Sequence, residues 1–100
     1  MFGDLGWKIP PQGFNWVAPP VHVGDTLNFS YVPYGPTLFH NVWEMPNADA
    51  YANCDFTQAL LRGNSSHVLV KLRRAGMAYF ACSAMGFHCT LGQKVAFSVQ

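Results

Sequence analysis

The segment from residue 81 to residue 94 constrains this chain more than any other, because it gathers three kinds of metal-binding side chain. Cys82 supplies a thiol, His88 follows six positions later with an imidazole, and Gln93 follows five positions after that with an amide oxygen. One thiolate and two imidazoles in a trigonal arrangement, with a weak and distant axial group, are typical of a blue copper site. The fold must therefore bring a second imidazole from far upstream, and His40 is the best candidate.

Several further motifs occupy defined positions along the chain. In order they are Val23-Gly24-Asp25-Thr26-Leu27, His40-Asn41-Val42, Cys54, Gly63-Asn64-Ser65-Ser66, Tyr79-Phe80-Ala81-Cys82 and His88-Cys89-Thr90-Leu91-Gly92-Gln93-Lys94-Val95. In this order and rough spacing the chain resembles the phytocyanins, the plant-type blue copper proteins of the cupredoxin superfamily, from Gly6-Trp7 to the last strand. Gln93 stands where many relatives have Met, so the chain is most similar to the stellacyanin-like branch.

The resemblance implies a fold, a cofactor and a function. The expected fold is all-β: one cupredoxin-like domain over residues 1–100, a Greek-key β-sandwich of two sheets with one or two short helices. The expected cofactor is one type 1 copper per chain, held by His40, Cys82 and His88 with Gln93 as axial ligand. The implied function is electron transfer between Cu(II) and Cu(I), through an exposed edge of His88, with a small-molecule or protein redox partner that the sequence does not identify.

The resemblance also assigns roles to residues around the metal. It pairs Cys54 with Cys89 in a disulfide, and it gives Asn41 the task of holding the cysteine loop by hydrogen bonds. Phe39, Met85 and Phe87 are expected to keep water off the metal. The ligand loop departs from the family pattern in one respect. Five residues, from Ser83 to Phe87, separate Cys82 from His88 where the family usually has four, which predicts a bulged loop and leaves Met85 as a rival axial donor to Gln93.

The cysteine count and the charge restrict the other function classes. Three cysteines indicate one pair and one retained thiol in an oxidising compartment. Two glycosylation sequons, at Asn28 and Asn64, agree with a secreted or cell-surface protein. The formal charge of +1, with no basic cluster beyond Arg73-Arg74, predicts no nucleic-acid or anionic membrane partner. The chain has no apolar run near the ~20 residues that a spanning helix needs and no secretory leader, so we expect a monomeric domain without membrane contact, its targeting segments removed.

Short alternating patterns predict the individual elements. Strands are expected at residues 5–9, 26–32, 38–44, 67–72, 77–81 and 94–99, and a short helix at 48–54, whereas residues 55–62 are ambiguous. Trp7 and Trp16 are expected to fill the core. His22 and His67 lie outside the ligand set, and we interpret them as structural or exposed.

Three readings compete with an electron carrier. An extracellular recognition module on the same sandwich would explain the fold and the sequons, but it leaves the ligand set unexplained. A hydrolase using Cys82 lacks a Gly-rich oxyanion loop and an orienting acid, so we expect no enzyme activity. A structural zinc ion could also bind one cysteine and two histidines.

Overall fold

The computed structural model of the chain describes residues 4–6, 20–30, 40–86 and 88–100, with positions 4–6 and 85 described by their backbone alone. The described residues form seven strands: Asp4–Gly6 (β1), Thr26–Ser30 (β2), Val42–Met45 (β3), Leu60–Gly63 (β4), His67–Lys71 (β5), Gly76–Ala81 (β6) and Lys94–Val99 (β7). They also form an α-helix, Ala48–Asn53 (α1), and a single 3-10 turn, Ala84–Gly86. None of the helices in these ranges is long and apolar enough to cross a membrane.

The strands form two sheets. The first has the order β1-β2-β5, with β1 parallel and β5 antiparallel to the central strand β2. The second has the order β4-β3-β6-β7, and all its neighbouring strands are antiparallel. The register between β3 and β4 shifts between Val42 and Trp43, a bulge that alters the direction of the chain just after His40 and Asn41.

The core lies between the two sheets, and strands β2, β5 and β7 alternate buried and more exposed side chains along their length. In β2 the buried side chains are Leu27 and Phe29, and in β7 they are Val95, Phe97 and Val99. Successive strand residues point to opposite faces, so these side chains meet in one apolar layer. The full core cluster consists of Val21, Leu27, Phe29, Val42, Val68, Val70, Leu72, Phe80, Cys82, Ala84, Val95, Phe97 and Val99.

Helix α1 packs on the outer face of the second sheet and is fixed at both ends. Asn47 caps its N-terminus by accepting a hydrogen bond from the backbone N–H of Ala50 at 2.9 Å. At its C-terminus, Cys54 adopts a left-handed conformation with φ of 51° and forms a disulfide with Cys89. The Lys94 ammonium donates to the carbonyl of Tyr51 at 3.0 Å, which satisfies a backbone group at the end of the helix. The disulfide thereby joins this helix to the residue that follows His88.

The predicted two-sheet β-sandwich is confirmed, and most predicted elements lie where the patterns placed them. The strand at 94–99 and the helix at 48–54 agree with the structure to within one residue, and the ambiguous segment 55–62 contains three of the four residues of β4. Of the strand predicted for residues 38–44, residues 38–39 lie outside the described part of the chain, His40 and Asn41 are not in a strand, and β3 extends from Val42 to Met45. The predicted residues 7–9 and 31–32 of two strands, and Trp7 and Trp16, lie outside the described residues.

The close approach of β4 to β5 depends on a glycine. A Cβ atom at Gly63 would lie 2.8 Å from a γ-carbon of Val68, a stiff and buried side chain. We therefore expect Gly63→Ala to lower the free energy of unfolding by about 1 to 3 kcal/mol, the usual cost of overpacking. Urea denaturation would measure this, and the control is the same change in a Val68→Ala background, where the crowding γ-carbons are absent and Gly63→Ala should cost far less. Unchanged stability in Gly63→Ala would contradict the tight contact.

Candidate metal centre

Three of the predicted ligands converge at one end of the sandwich. The Nδ1 atoms of His40 and His88 lie 3.1 Å apart, and the Sγ atom of Cys82 lies 3.5 Å from His88 Nδ1 and 3.9 Å from His40 Nδ1. His40 precedes β3, Cys82 follows β6, and these two strands are neighbours in the second sheet. Two strands distant in sequence thus bring a histidine and a cysteine together.

The size of this triangle suits a single metal ion. A circle through three points separated by 3.1, 3.5 and 3.9 Å has a radius of about 2.0 Å. Zinc, an ion similar in size to copper, lies about 2.0 to 2.3 Å from the nitrogen and sulfur atoms that bind it in proteins. The three donor atoms are therefore spaced as ligands of one ion, and among the described residues they form the one group of three or more histidine, cysteine or acidic side chains able to hold a metal.

Backbone hydrogen bonds orient the sulfur of Cys82. The N–H groups of Asn41 and Ala84 each donate to Sγ at 3.4 Å. Burial raises the pKa of this thiol, and the two N–H donors act in the opposite direction. A thiolate needs such partners when it is fully buried, as Cys82 is. The site is therefore prepared for a sulfur that loses its proton when a cation binds.

Asn41 connects the two halves of the site. Its side-chain oxygen accepts a hydrogen bond from the backbone N–H of Ser83 at 2.8 Å, and its Nδ2 donates to the Ser83 hydroxyl at 3.0 Å. The residue next to His40 is thus bound to the residue next to Cys82. The resemblance assigned to Asn41 the holding of the cysteine loop by hydrogen bonds, but no residue pattern indicated that Ser83 is its partner.

Both imidazoles lie where the neutral form is favoured. Burial lowers the pKa of His40, and the nearby His88 lowers it further. Burial also lowers the pKa of His88, while the neighbouring Gln93 amide acts in the opposite direction by proximity. Neutral imidazole is the form that binds metals, so these two pKa shifts favour ligation.

Gln93 is fully buried, and its side-chain amide forms no hydrogen bond of regular geometry, although it lies close enough to the His88 imidazole to act on its pKa. A buried amide without partners is costly, so such a group in a folded protein needs an explanation. Its backbone is well held, because Gln93 N donates to the His88 carbonyl at 3.0 Å and Gln93 O accepts from Cys82 N at 3.0 Å. A buried amide of this kind is compatible with the axial role that the resemblance predicted for Gln93, which stays a prediction.

The loop between Cys82 and His88 contains a 3-10 turn, Ala84–Gly86. The turn is closed by hydrogen bonds from Gly86 N to Ser83 O and from His88 N to Ala84 O. Phe39 and Phe87 lie outside the described residues, as does the side chain of Met85, so their predicted shielding roles and the rivalry of Met85 with Gln93 stay predictions.

The prediction of an exposed His88 edge needs correction. His88 is only 4% exposed, whereas His40 is half-buried. The backbone on both sides of His88 is hydrogen-bonded back into the loop, to Ala84 and to Gln93, which draws the imidazole inward. His40 is therefore the more accessible of the two imidazoles.

The remaining predicted residues lie away from this group. His22 and His67 are exposed, in agreement with the prediction. Asn64 lies in an exposed connection between β4 and β5, but Asn28 lies in the central strand β2 with a buried side-chain oxygen, which makes it a poor glycosylation acceptor.

Asn41→Ala is expected to loosen the connection between the two halves of the site. The substitution removes two hydrogen bonds to Ser83 and leaves a part-buried N–H without its acceptor, so we expect the metal-free protein to lose about 1 to 3 kcal/mol of unfolding free energy. Urea denaturation measures the loss. Asn53→Ala, an exposed residue at the end of α1, is the matched control and should change stability far less. Equal effects in the two variants would argue against a clamp at Asn41.

Comparison with known proteins agrees with the geometry. The model of the family described as "Plastocyanin-like domain" matches residues 9–93. Cucumber peeling cupredoxin, from Cucumis sativus, is 34% identical over 96% of this chain and 70% of its own length. Early nodulin-like protein 14, from Arabidopsis thaliana, is 33% identical over 93% of this chain, which spans only half of that relative. The solved structure of cucumber stellacyanin with Cu²⁺ has a TM-score of 0.73 and 31% identity, covering 94% of this chain and 86% of that one.

The two-sheet sandwich agrees with the likeness to the solved structure, and the converging imidazoles and thiol agree with the Cu²⁺ that the stellacyanin structure contains. The match extends over most of the chain and is not confined to the ligand loop. The chain therefore belongs to the plastocyanin-like domain family, as a phytocyanin of the stellacyanin-like kind.

Proposed function

We propose that this chain is a blue copper electron carrier that binds one copper ion through His40, Cys82 and His88, with Gln93 in the axial position. The observation that carries the proposal is the triangle of two Nδ1 atoms and one Sγ atom, each side of which is between 3.1 and 3.9 Å long. Copper, when bound by a thiolate and two imidazoles, supplies reversible one-electron exchange between its Cu(II) and Cu(I) states.

The contribution of the protein is to hold the ligands still. The Asn41 side chain fixes the position of Ser83, and two backbone N–H groups fix the Cys82 sulfur. The disulfide anchors Cys89, the neighbour of His88, to the end of α1. A ligand set held in this way changes little between oxidation states, which favours rapid electron exchange.

The half-buried imidazole of His40 is the ligand best placed to face a redox partner. His88 is nearly inaccessible, and Cys82 and Gln93 are fully buried. We therefore assign the entry of electrons to the His40 side of the site. The partner is a small molecule or a protein, and the donor set offers no role for a nucleic acid and no catalytic group for an enzyme reaction.

The cellular setting follows from the disulfide and the relatives. A structural disulfide between Cys54 and Cys89 suits an oxidising compartment, and we propose a secreted or cell-surface protein. If the chain is glycosylated there, we expect the acceptor to be Asn64, because the Asn28 side chain is partly buried within a sheet.

Titration of the purified, disulfide-intact protein with Cu(II) tests the function. We expect saturation at one equivalent and an intense visible absorption that disappears on reduction and returns on reoxidation. Zinc provides the control, because it binds the same donor types but is colourless and does not change oxidation state. A protein that saturates with zinc and gives no visible band with copper would be a structural metal protein or a recognition module.

A further inference from the structure

A cleft opens between the edges of the two sheets, away from the metal centre. Its volume is about 430 Å³, and it lies between β4 and the end of β5. The buried side chains of Met45, Leu72 and Phe80 form part of its lining. His40 precedes β3 and Met45 ends it, so the length of that strand separates the cleft from the metal centre.

The shape of the cleft follows from the local sequence. Near their connection, β4 and β5 approach closely because Gly63 has no side chain to keep it away from Val68. Three residues earlier in β4, Leu60 lines the cleft, and opposite it the chain leaves β5 through Leu72 and Arg73. The two edges therefore touch at one end and diverge at the other.

The cleft has a strongly basic rim. Arg62, Lys71, Arg73 and Arg74 line it, four of the six lysine and arginine residues in the chain. The one acidic side chain in the lining, Glu44, forms an ion pair with Arg62 at 3.0 Å. Three cations of the rim thus form no ion pair with any acidic group in the described part of the chain. The sequence predicted only the Arg73-Arg74 pair, because the other two residues join it through the fold.

Apolar groups and a strand edge accompany these charges. Leu60 is 60% exposed at the mouth of the cleft. Strand β4 lies at the end of its sheet, and none of the described strands pairs with its outer edge. An unpaired edge offers backbone N–H and C=O groups to an added extended segment, while neighbouring pockets receive alternate side chains.

We propose that this cleft is a docking site for an extended, acidic segment of a partner protein. Carboxylates of the segment meet Lys71, Arg73 and Arg74, and an apolar side chain between them contacts Leu60. A peptide fits these features better than a polyanionic carbohydrate. Such a carbohydrate can bind the basic side chains, but it can neither pair with the strand edge nor place an apolar side chain against the exposed leucine. Rim charges act mainly on the rate of association and on its salt dependence, so the binding is weak and sensitive to ionic strength.

Fluorescence anisotropy with a labelled peptide of alternating glutamate and valine tests the proposal on the disulfide-intact protein. We expect saturable binding of this peptide that weakens as the salt concentration is raised. The corresponding peptide of alternating lysine and valine should not bind. The double variant Arg73→Gln, Arg74→Gln should weaken binding by about tenfold or more at low salt, because two rim charges are lost. Leu60→Ser should also weaken peptide binding. Because this substitution changes no charge, weaker binding would show that an apolar contact contributes.

A control variant with the same change in net charge is Ser98→Asp, Gln100→Glu, at exposed positions on and after β7, the far edge of the second sheet. It should bind the acidic peptide nearly as well as the parent. Equal weakening in both double variants would overturn the proposal, because it would show that binding depends on the net charge of the protein and not on the charges at the cleft. No binding of the peptide together with binding of polygalacturonate would also overturn it, in favour of a carbohydrate. Because no step of this assay involves copper, its outcome is independent of the metal titration.

Discussion

Cys82→Ala should abolish the intense visible absorption of the copper-loaded protein. That band arises from charge transfer between a thiolate sulfur and Cu(II), and Cys82 is the one cysteine outside the disulfide. Its sulfur lies within 4 Å of both imidazole nitrogens, so no other thiol is available at this position. Absorption spectra of the parent and the variant, recorded at one equivalent of Cu(II), measure the effect.

The variant also needs a measurement that does not depend on colour. Calorimetry should show that Cu(II) binds much more weakly, since His40 and His88 remain but the thiolate is lost. Urea denaturation of the metal-free variant checks that it is folded, because two backbone N–H groups lose their acceptor. A variant that is folded and still has the parent's band would show that the Cys82 sulfur is not a ligand.

Side-chain chemistry made much of this site predictable from the sequence. A thiol, two imidazoles and an amide are an unusual set, and their order along the chain indicated that His40 must meet Cys82 and His88. The structure brings these three together, and the pairing of β3 with β6 supplies the physical connection. Strand β7 was equally predictable. Val95, Phe97 and Val99 occur at every second position, which places all three side chains on the same, buried face of a strand.

Features that depend on packing between distant segments were not predictable. His88 lies in a loop held by backbone hydrogen bonds, and the residue types in the loop do not indicate that these bonds form or that the imidazole is buried. The register shift between Val42 and Trp43 lies inside a strand whose side-chain pattern continues without interruption. The basic rim of the cleft assembles residues 62, 71, 73 and 74 from β4, β5 and the turn after it, and a scan for runs of charge finds only the adjacent pair.

The Gln93 amide links stability to function in this fold. The buried Gln93 amide forms no regular hydrogen bond, so we expect it to cost stability in the metal-free protein, and a hydrophobic side chain of similar size would remove that cost. In the proposed site the amide oxygen is the axial ligand, so it gains a partner when the metal binds. Gln93→Met tests both halves of this argument in one variant.

For metal-free Gln93→Met we expect the free energy of unfolding to rise by about 1 kcal/mol or more, because the desolvated amide is removed. Urea denaturation at matched conditions measures it. A decrease would indicate that the Gln93 amide is satisfied in the folded protein and that its burial is an ordinary packing solution.

For copper-loaded Gln93→Met we expect the reduction potential to rise. An amide oxygen is a harder donor than a thioether and stabilises Cu(II) relative to Cu(I), so its replacement favours the reduced state, and the axial ligand is a recognised lever on the potential. A tenfold change in a one-electron equilibrium corresponds to about 59 mV, and we expect a shift on the order of that size or larger by voltammetry. Met85→Leu is the matched control, since Met85 is the other candidate donor in the loop. A potential that moves in Met85→Leu and stays constant in Gln93→Met would transfer the axial role to Met85.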